Sequence, residues 1–152
     1  MFFVGRATIK EAWIRKMDFS TSMTVAASGL RAQSERMKVI AENIANASST
    51  SQVPGGDPYR RKIATQKSGF DSELGANLVK SGKPIEDRSD FRAQYDPGNP
   101  NADKQGYVKL PNVDPLIEIM DMKEAQRSYE VNLTVMDATK QMLARTVDLL
   151  NK

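Results

Sequence analysis

The chain has no cysteine and no histidine. The first absence removes disulfides, thiolate nucleophiles and thiolate metal ligands; the second removes imidazole bases and the usual zinc-ligand sets. Aromatic residues are scarce, at 7%, and no apolar run approaches the ~20 residues of a membrane-spanning helix. There is no phosphate-cradling glycine loop, dinucleotide fingerprint or nucleophile elbow; Gly69, Gly75, Gly82 and Gly98 stand isolated. Acid–base chemistry without histidine needs converging carboxylates, yet Glu118, Asp121, Glu124 and Glu130 are spread among basic residues. Arg127 lies three residues from both Glu124 and Glu130, the spacing of surface ion pairs on a helix. A net charge of +3 over 152 residues is mild for a nucleic-acid binder. The expectation is a chain with no enzymatic activity, metal, cofactor, nucleic-acid partner or membrane insertion.

What is present lies at the two ends. The run from Met122 to Lys152 has neither proline nor glycine, and Met122, Tyr129, Met136, Leu143 and Leu150 recur every seven residues. Leu133 and Val147 fill two half-steps, while Lys140 occupies the half-step where an apolar residue is expected. Such a stripe is narrow and asks for a partner helix. Residues 18–50 offer one: Met23, Leu30, Met37 and Ile44 are again seven apart, with Ala26, Ile40 and Ala47 at half-steps and Gln33 breaking the column. Ser20 or Thr21 is a candidate cap there, with Phe19 packing over the first turn. Gly29 is either an ordinary interior glycine or the mark of a close helix contact. Asn43 and Asn46 sit near the helix end, and two readings stay open: helix termination, or hydrogen bonds to a loop or another subunit. The helix is expected to fail at residues 48–51, before Pro54 and Gly55–Gly56. Eight methionines suit either a helical core or surfaces that repack against neighbours.

The middle, residues 51–115, carries all seven prolines. Short extended segments are expected at 59–66, 78–80, 91–95 and 107–110. The cluster Asp96-Pro97-Gly98-Asn99-Pro100-Asn101 reads as a scaffold turn, because Asp96 and Asp103 lack the calcium-loop spacing. Arg60-Arg61-Lys62 reads as a solvated face or an interface rim. Asp114-Pro115 is a plausible cap and first turn for a helix over 116–152. Residues 1–17, with Ile9, Trp13 and Met17 on one possible helical side, lack a signal-peptide core and read as an N-terminal extension, disordered or reflecting an early start. The expected architecture is mainly α: long N- and C-terminal helices packed as a coiled-coil-like pair, with a small irregular, β-containing middle region. Such a protomer leaves apolar helix surface that other subunits would cover.

Several of these residues also carry a resemblance. Gly29-Leu30-Arg31-Ala32-Gln33 followed by Asn43-Ile44-Ala45-Asn46-Ala47 is similar to the N-terminal motif shared by rod, hook and hook-associated proteins. Tyr95-Asp96-Pro97-Gly98-Asn99-Pro100, Ala102-Asp103, Gly106-Tyr107-Val108 and Pro111-Asn112-Val113 resemble the signature of the proximal members of the flagellar basal-body rod family. Met122, Ala125, Arg127-Ser128-Tyr129, Asn132 and Lys140 resemble that family's C-terminal helix. The resemblance covers residues 17–152, so residues 1–16 are extra, and Asn99 stands where relatives often carry histidine. It implies a structural subunit of the proximal rod, stacked helically around the export channel and transmitting torque. It implies as partners copies of the chain, other rod proteins, components of the basal-body base and the type III export apparatus, in a rod spanning the periplasm. An assembly interface is then expected along Met23, Leu30, Met37, Ile40, Asn43, Ile44 and Asn46 of the first helix. On the second helix it is expected along Met122, Tyr129, Leu133, Met136, Lys140, Leu143, Val147 and Leu150. The alternatives are another axial rod protein, or a soluble helical adaptor unrelated to flagella.

Overall fold

The computed structural model describes residues 19–150, and of Leu150 the backbone only. The extension expected over 1–17, with Ile9, Trp13 and Met17, and the side chain of Leu150 lie outside the described residues. Two long helices dominate: α1, Phe19–Asn46, and α2, Pro115–Leu150. Between them run six short strands: β1 (Lys62–Ile63), β2 (Gln66–Asp71), β3 (Ala76–Ser81), β4 (Ile85–Glu86), β5 (Arg92–Tyr95) and β6 (Tyr107–Leu110). They form three antiparallel two-stranded sheets, β1 with β4, β2 with β3, and β5 with β6.

The first helix is already under way at Phe19, so Ser20 and Thr21 lie in its first turn rather than at a cap. Thr24 Oγ1 donates back to the Ser20 carbonyl at 2.9 Å. The helix stops at Asn46, ahead of the serine-threonine run: Ala47 N bonds Ile44 O and Ser49 N bonds Asn46 O in the tight turns that end it. At the start of α2, the Asp114 carboxylate accepts from Leu116 N at 2.9 Å, and Pro115 occupies the first helical position. An acceptor followed by a residue with no N–H satisfies the exposed donors of a helix start.

The helices run antiparallel and touch along their length. Near one end Asn43 meets Glu118. In the middle Arg36 reaches Asp121 and Glu124. Further along, a Cβ placed on Gly29 would stand 2.9 Å from the Asn132 amide nitrogen. Gly29 is therefore where α1 comes close to the Asn132 side chain, which would have to shift to admit a larger residue, and it costs about 1 kcal/mol in helix propensity. The core is thin. Ala26, Ile40 and Ala47 of the first helix and its following turn are buried, together with Ala125 of the second. Ala32 and Val39 instead line the crevice between α1 and residues 64–66 and 81–84. The β2–β3 hairpin is tied to α1 by Gln66 Nε2 on Ala32 O (3.1 Å) and Val79 N on Ser28 Oγ (3.2 Å).

The β5–β6 hairpin carries the 96–106 turn. Tyr95 and Tyr107 are cross-strand partners and pack edge to face, centroids 5.2 Å apart. Gly106 has φ 84°, and a Cβ there would lie 3.0 Å from Tyr95 Cε2 and 3.2 Å from Pro97 Cβ. Both backbone conformation and space demand glycine. Gly98, by contrast, faces only the Asp96 carboxylate at 3.7 Å. Gly106→Ala is expected to destabilise the protein by about 1–2 kcal/mol, while Gly98→Ala stays within about 0.5 kcal/mol. Thermal unfolding of the two variants checks the contrast; equal shifts would contradict it.

Candidate assembly interface

The interface candidate is built on the helix pair, and the pair is locked by a buried polar cluster. Asn43 is 1% exposed and its amide is saturated. Nδ2 donates to Lys62 O (2.8 Å) and to Glu118 Oε2 (3.0 Å); Oδ1 accepts from the Tyr59 hydroxyl (2.8 Å) and from Lys62 N (2.9 Å). Glu118, fully buried, also accepts from Arg61 Nε at 2.7 Å. Arg61 reaches Asp87 and Asp121 at 3.6 and 3.7 Å, and its backbone N–H donates to Asn112 Oδ1 at 2.8 Å. Asn112 in turn donates to Asp87 O and to Ser89. The end of α1, the start of α2 and the middle region therefore meet at one satisfied network. Burial pushes the Tyr59 phenol above its ordinary value of 10.0, so it stays a donor through neutral pH.

This resolves the two asparagines. Asn43 hydrogen-bonds helix to loop inside the protomer. Asn46 terminates the helix: its Nδ2 donates to Glu42 O at 2.8 Å and its carbonyl accepts from Ser49 Oγ. The surfaces of Asn43 and Ile40, expected at a subunit interface, are already covered within the chain. The basic triplet Arg60-Arg61-Lys62 is also committed inside the protomer rather than forming a solvated face. Arg60 lies over the Phe91 ring at 4.2 Å and donates to Asp87 O and Ser89 O; Arg61 serves Glu118; Lys62 pairs with Glu42 at 3.1 Å. Arg127 makes no ion pair among the described residues, and Glu124 turns to Arg36 of the other helix instead.

The second helix faces the first through Glu118, Ala125, Asn132 and Thr139, seven apart, of which only Asn132 keeps partial exposure. Met122, Tyr129 and Met136 flank this column half-buried, while Leu143 is exposed. The inward half-step thus falls three residues after each large side chain. The other half-step, Leu133, Lys140 and Val147, is exposed. On α1, Met23, Leu30, Met37 and Ile44 are half-buried at the edge of the contact.

The signature turn builds scaffold. Asp96 N bonds Gly106 O at 2.9 Å. Asp103 Oδ1 accepts from Gln105 N (2.8 Å) and Tyr107 N (2.9 Å), and those backbone donors hold its carboxyl below the ordinary range. Pro97 packs toward Gly106, and Pro100 is exposed. Pro111 is buried, its carbonyl accepting from Arg92 Nε at 3.3 Å. Among the described residues no group of acidic side chains is placed to hold a metal ion.

The sequence has relatives among known proteins. The family model for flagella basal body rod proteins matches residues 23–51, and that for the C-terminal part of flagellar basal body rod FlgEFG proteins matches residues 104–149. The chain is similar to the flagellar basal-body rod protein FlgC of Agrobacterium fabrum, 52% identical over 131 residues that cover 86% of this chain and 94% of the relative. The FlgC proteins of Bacillus subtilis and Salmonella typhimurium are 43% and 40% identical, covering 84% and 82% of this chain and 95% and 92% of theirs. The chain belongs to the FlgC family of flagellar basal-body rod proteins. As a FlgC-family member it is a structural subunit of the basal-body rod and not an enzyme. The first family-model match covers most of α1 with Asn43, and the second covers β6 and nearly all of α2 with Glu118.

Asn43→Ala would remove the partners of Glu118 Oε2, of Lys62 N–H and C=O and of the Tyr59 hydroxyl, and is expected to cost about 3 kcal/mol. Asn46→Ala should cost less than about 1 kcal/mol; denaturant unfolding distinguishes them. The raised Tyr59 value means its contribution is complete below pH 10.0 and is lost as pH rises through the folded-state value. Tyr59→Phe should therefore lower stability at neutral pH by about 1 kcal/mol and flatten the alkaline fall, which a pH series of melts reads directly.

Proposed function

We propose that this FlgC-family subunit forms part of the proximal rod, stacking helically with copies of itself and with other rod proteins around the export channel and transmitting torque. In this reading α1 and α2 form a coiled-coil-like layer, and their heptad columns continue from the protomer into contacts with neighbours. The observation that carries the reading is how much apolar surface α2 leaves open. Val131, Leu133, Val135, Met142, Leu143 and Val147 are all exposed in the protomer, well beyond the scattered surface apolars of a monomer. A stiff rod wall needs repeated heterologous contacts that propagate rather than close, and long helices with side chains left for neighbours supply them. Passage through the type III export apparatus, components of the basal-body base as neighbours and a position across the periplasm belong to the same proposal.

Leu30 and Met136 lie at the edges of the helix contact, where a charge would be covered by both the protomer's own partner helix and a neighbour. Leu30→Asp and Met136→Asp are each expected to abolish motility and remove the subunit from purified basal bodies. The test is complementation of a strain lacking its own FlgC, with the unmutated chain as control. Unaltered swimming with either variant in the rod would contradict the proposal.

A further inference from the structure

Strand β2 is an open edge with a fixed hydrogen-bonding side. Thr65 O accepts from Gly82 N at 2.9 Å, so these two residues face each other as a hydrogen-bonded pair. Antiparallel pairs alternate, which makes Lys67 with Lys80, Gly69 with Leu78 and Asp71 with Ala76 hydrogen-bonded pairs as well. The N–H and C=O of Gln66, Ser68 and Phe70 then point away from β3. The same alternation turns the Val79 N–H outward on the other strand, where Ser28 Oγ of α1 accepts it. The β3 edge is therefore covered by α1, whereas Gln66 to Phe70 are all exposed and Phe70 keeps 68% of its surface. Among the described residues no backbone hydrogen bond reaches Ser68 or Phe70 from outside the hairpin. Such an edge is a template for another strand.

The charges select that strand. Lys67 stands directly opposite Lys80, an unfavourable like-charge pair, and neither makes an ion pair among the described residues. Asp71 spends Oδ1 on Glu73 N and Leu74 N and leaves Oδ2 open. Lys67 and Asp71 lie two residues either side of Gly69, so β2 run antiparallel is its own complement. Edge pairing matches outward residue to outward residue, which allows registers centred on Lys67, Ser68, Gly69 or Phe70. Only the Gly69 centre sets Lys67 against Asp71 of the other copy. It also joins Ser68 to Phe70 by N–H···O=C bonds in both directions, repeated by symmetry, and places the two Phe70 rings two residues off register, within reach of each other. We infer that two copies of this chain pair antiparallel through their β2 edges about Gly69, joining the two hairpins into one four-stranded sheet. The contact is small, so the pair is reversible. A two-fold contact closes on itself, so the pair belongs to the subunit outside the stacked rod proposed above, where it covers an edge otherwise open to uncontrolled pairing. It does not depend on the rod reading.

Cysteine cross-linking tests it, since the chain has no native cysteine. A Cβ at Gly69 meets nothing within 4 Å, so Gly69→Cys leaves the protomer intact, and the two-fold brings the two thiols into disulfide range. Lys67 is likewise exposed, but its copy lies four residues along the paired strand, roughly 14 Å away. Under mild oxidation of the purified full chain, Gly69→Cys is expected to form covalent dimer about tenfold faster than Lys67→Cys. Adding Lys67→Glu to Gly69→Cys sets like charges against Asp71 of the other copy and relieves the Lys80 repulsion within the protomer. The dimer rate is then expected to fall about fivefold with no loss of melting temperature. Adding Ser68→Pro instead removes an N–H that points to solvent in the protomer, and is expected to lower the rate about tenfold. Equal rates for the two single-cysteine chains overturn the inference, because they mean random collision. A Gly69→Cys rate unmoved by either second change also overturns it, because the copies then meet elsewhere.

Discussion

The saturated amide of Asn43 sets the frame for the rest of the molecule. Its two donor sites and two acceptor sites are used at once, on the side chains of the buried Glu118 and the half-buried Tyr59 and on the Lys62 backbone. Glu118 is a fully buried carboxylate whose charge is met by Arg61 at 2.7 Å. A buried ion pair is weak evidence for stability, since desolvation consumes most of its attraction. What it supplies is register. A slip of α2 by one turn would part the buried Glu118 carboxylate from both the Asn43 amide and the Arg61 guanidinium, at several kcal/mol.

That register explains the thin core. Gly29 opposite Asn132 lets the helices approach closely, and the facing column of α2 is small or polar: Glu118, Ala125, Asn132, Thr139. Apolar burial within the protomer is accordingly modest, and the large side chains stand at the rim or outside. For a lone domain this is poor design; in the stacked rod proposed above it leaves methionine, valine and leucine available to a neighbour. In that reading the polar lock orders the subunit and the apolar remainder joins one subunit to the next.

The two helices and the Asp114–Pro115 start of α2 were legible from heptad spacing and cap chemistry. The inward half-step was not. A stripe at Met122, Tyr129 and Met136 is flanked equally by positions three and four residues on, and hydropathy favours Leu133 and Val147 over Asn132 and Thr139. Close approach at Gly29 selects the smaller side, which requires knowing where the partner lies. Asn43 and Asn46 were equivalent in sequence because both amides sit near a helix end; only the contact with the Tyr59–Lys62 segment separates them. The Arg61–Glu118 pair joins residues 57 positions apart, beyond any local pattern. Strand β2 was missed because Gln-Lys-Ser-Gly-Phe-Asp has neither alternation nor β-branched residues, and its pairing with β3 comes from the Asp71–Gly75 turn, where Asp71 caps Glu73 N and Leu74 N and Gly75 takes φ 63°.

The polar cluster, rather than the apolar stripes, sets how α1 and α2 align. The chain has no native cysteine, so one engineered pair reports the alignment without interference. With Gly29→Cys and Asn132→Cys, a Cβ at position 29 stands 3.2 Å from the atom at the γ position of residue 132, close to the ~3 Å between a disulfide's Cβ and the opposite sulfur. The account predicts efficient oxidation to the intramolecular bridge in the otherwise intact chain. It also predicts a marked loss of that bridge when Asn43→Ala and Arg61→Ala are added under conditions where the helices remain formed by circular dichroism. An undiminished bridge in the chain lacking both cluster residues would contradict it and assign the alignment to the apolar stripes.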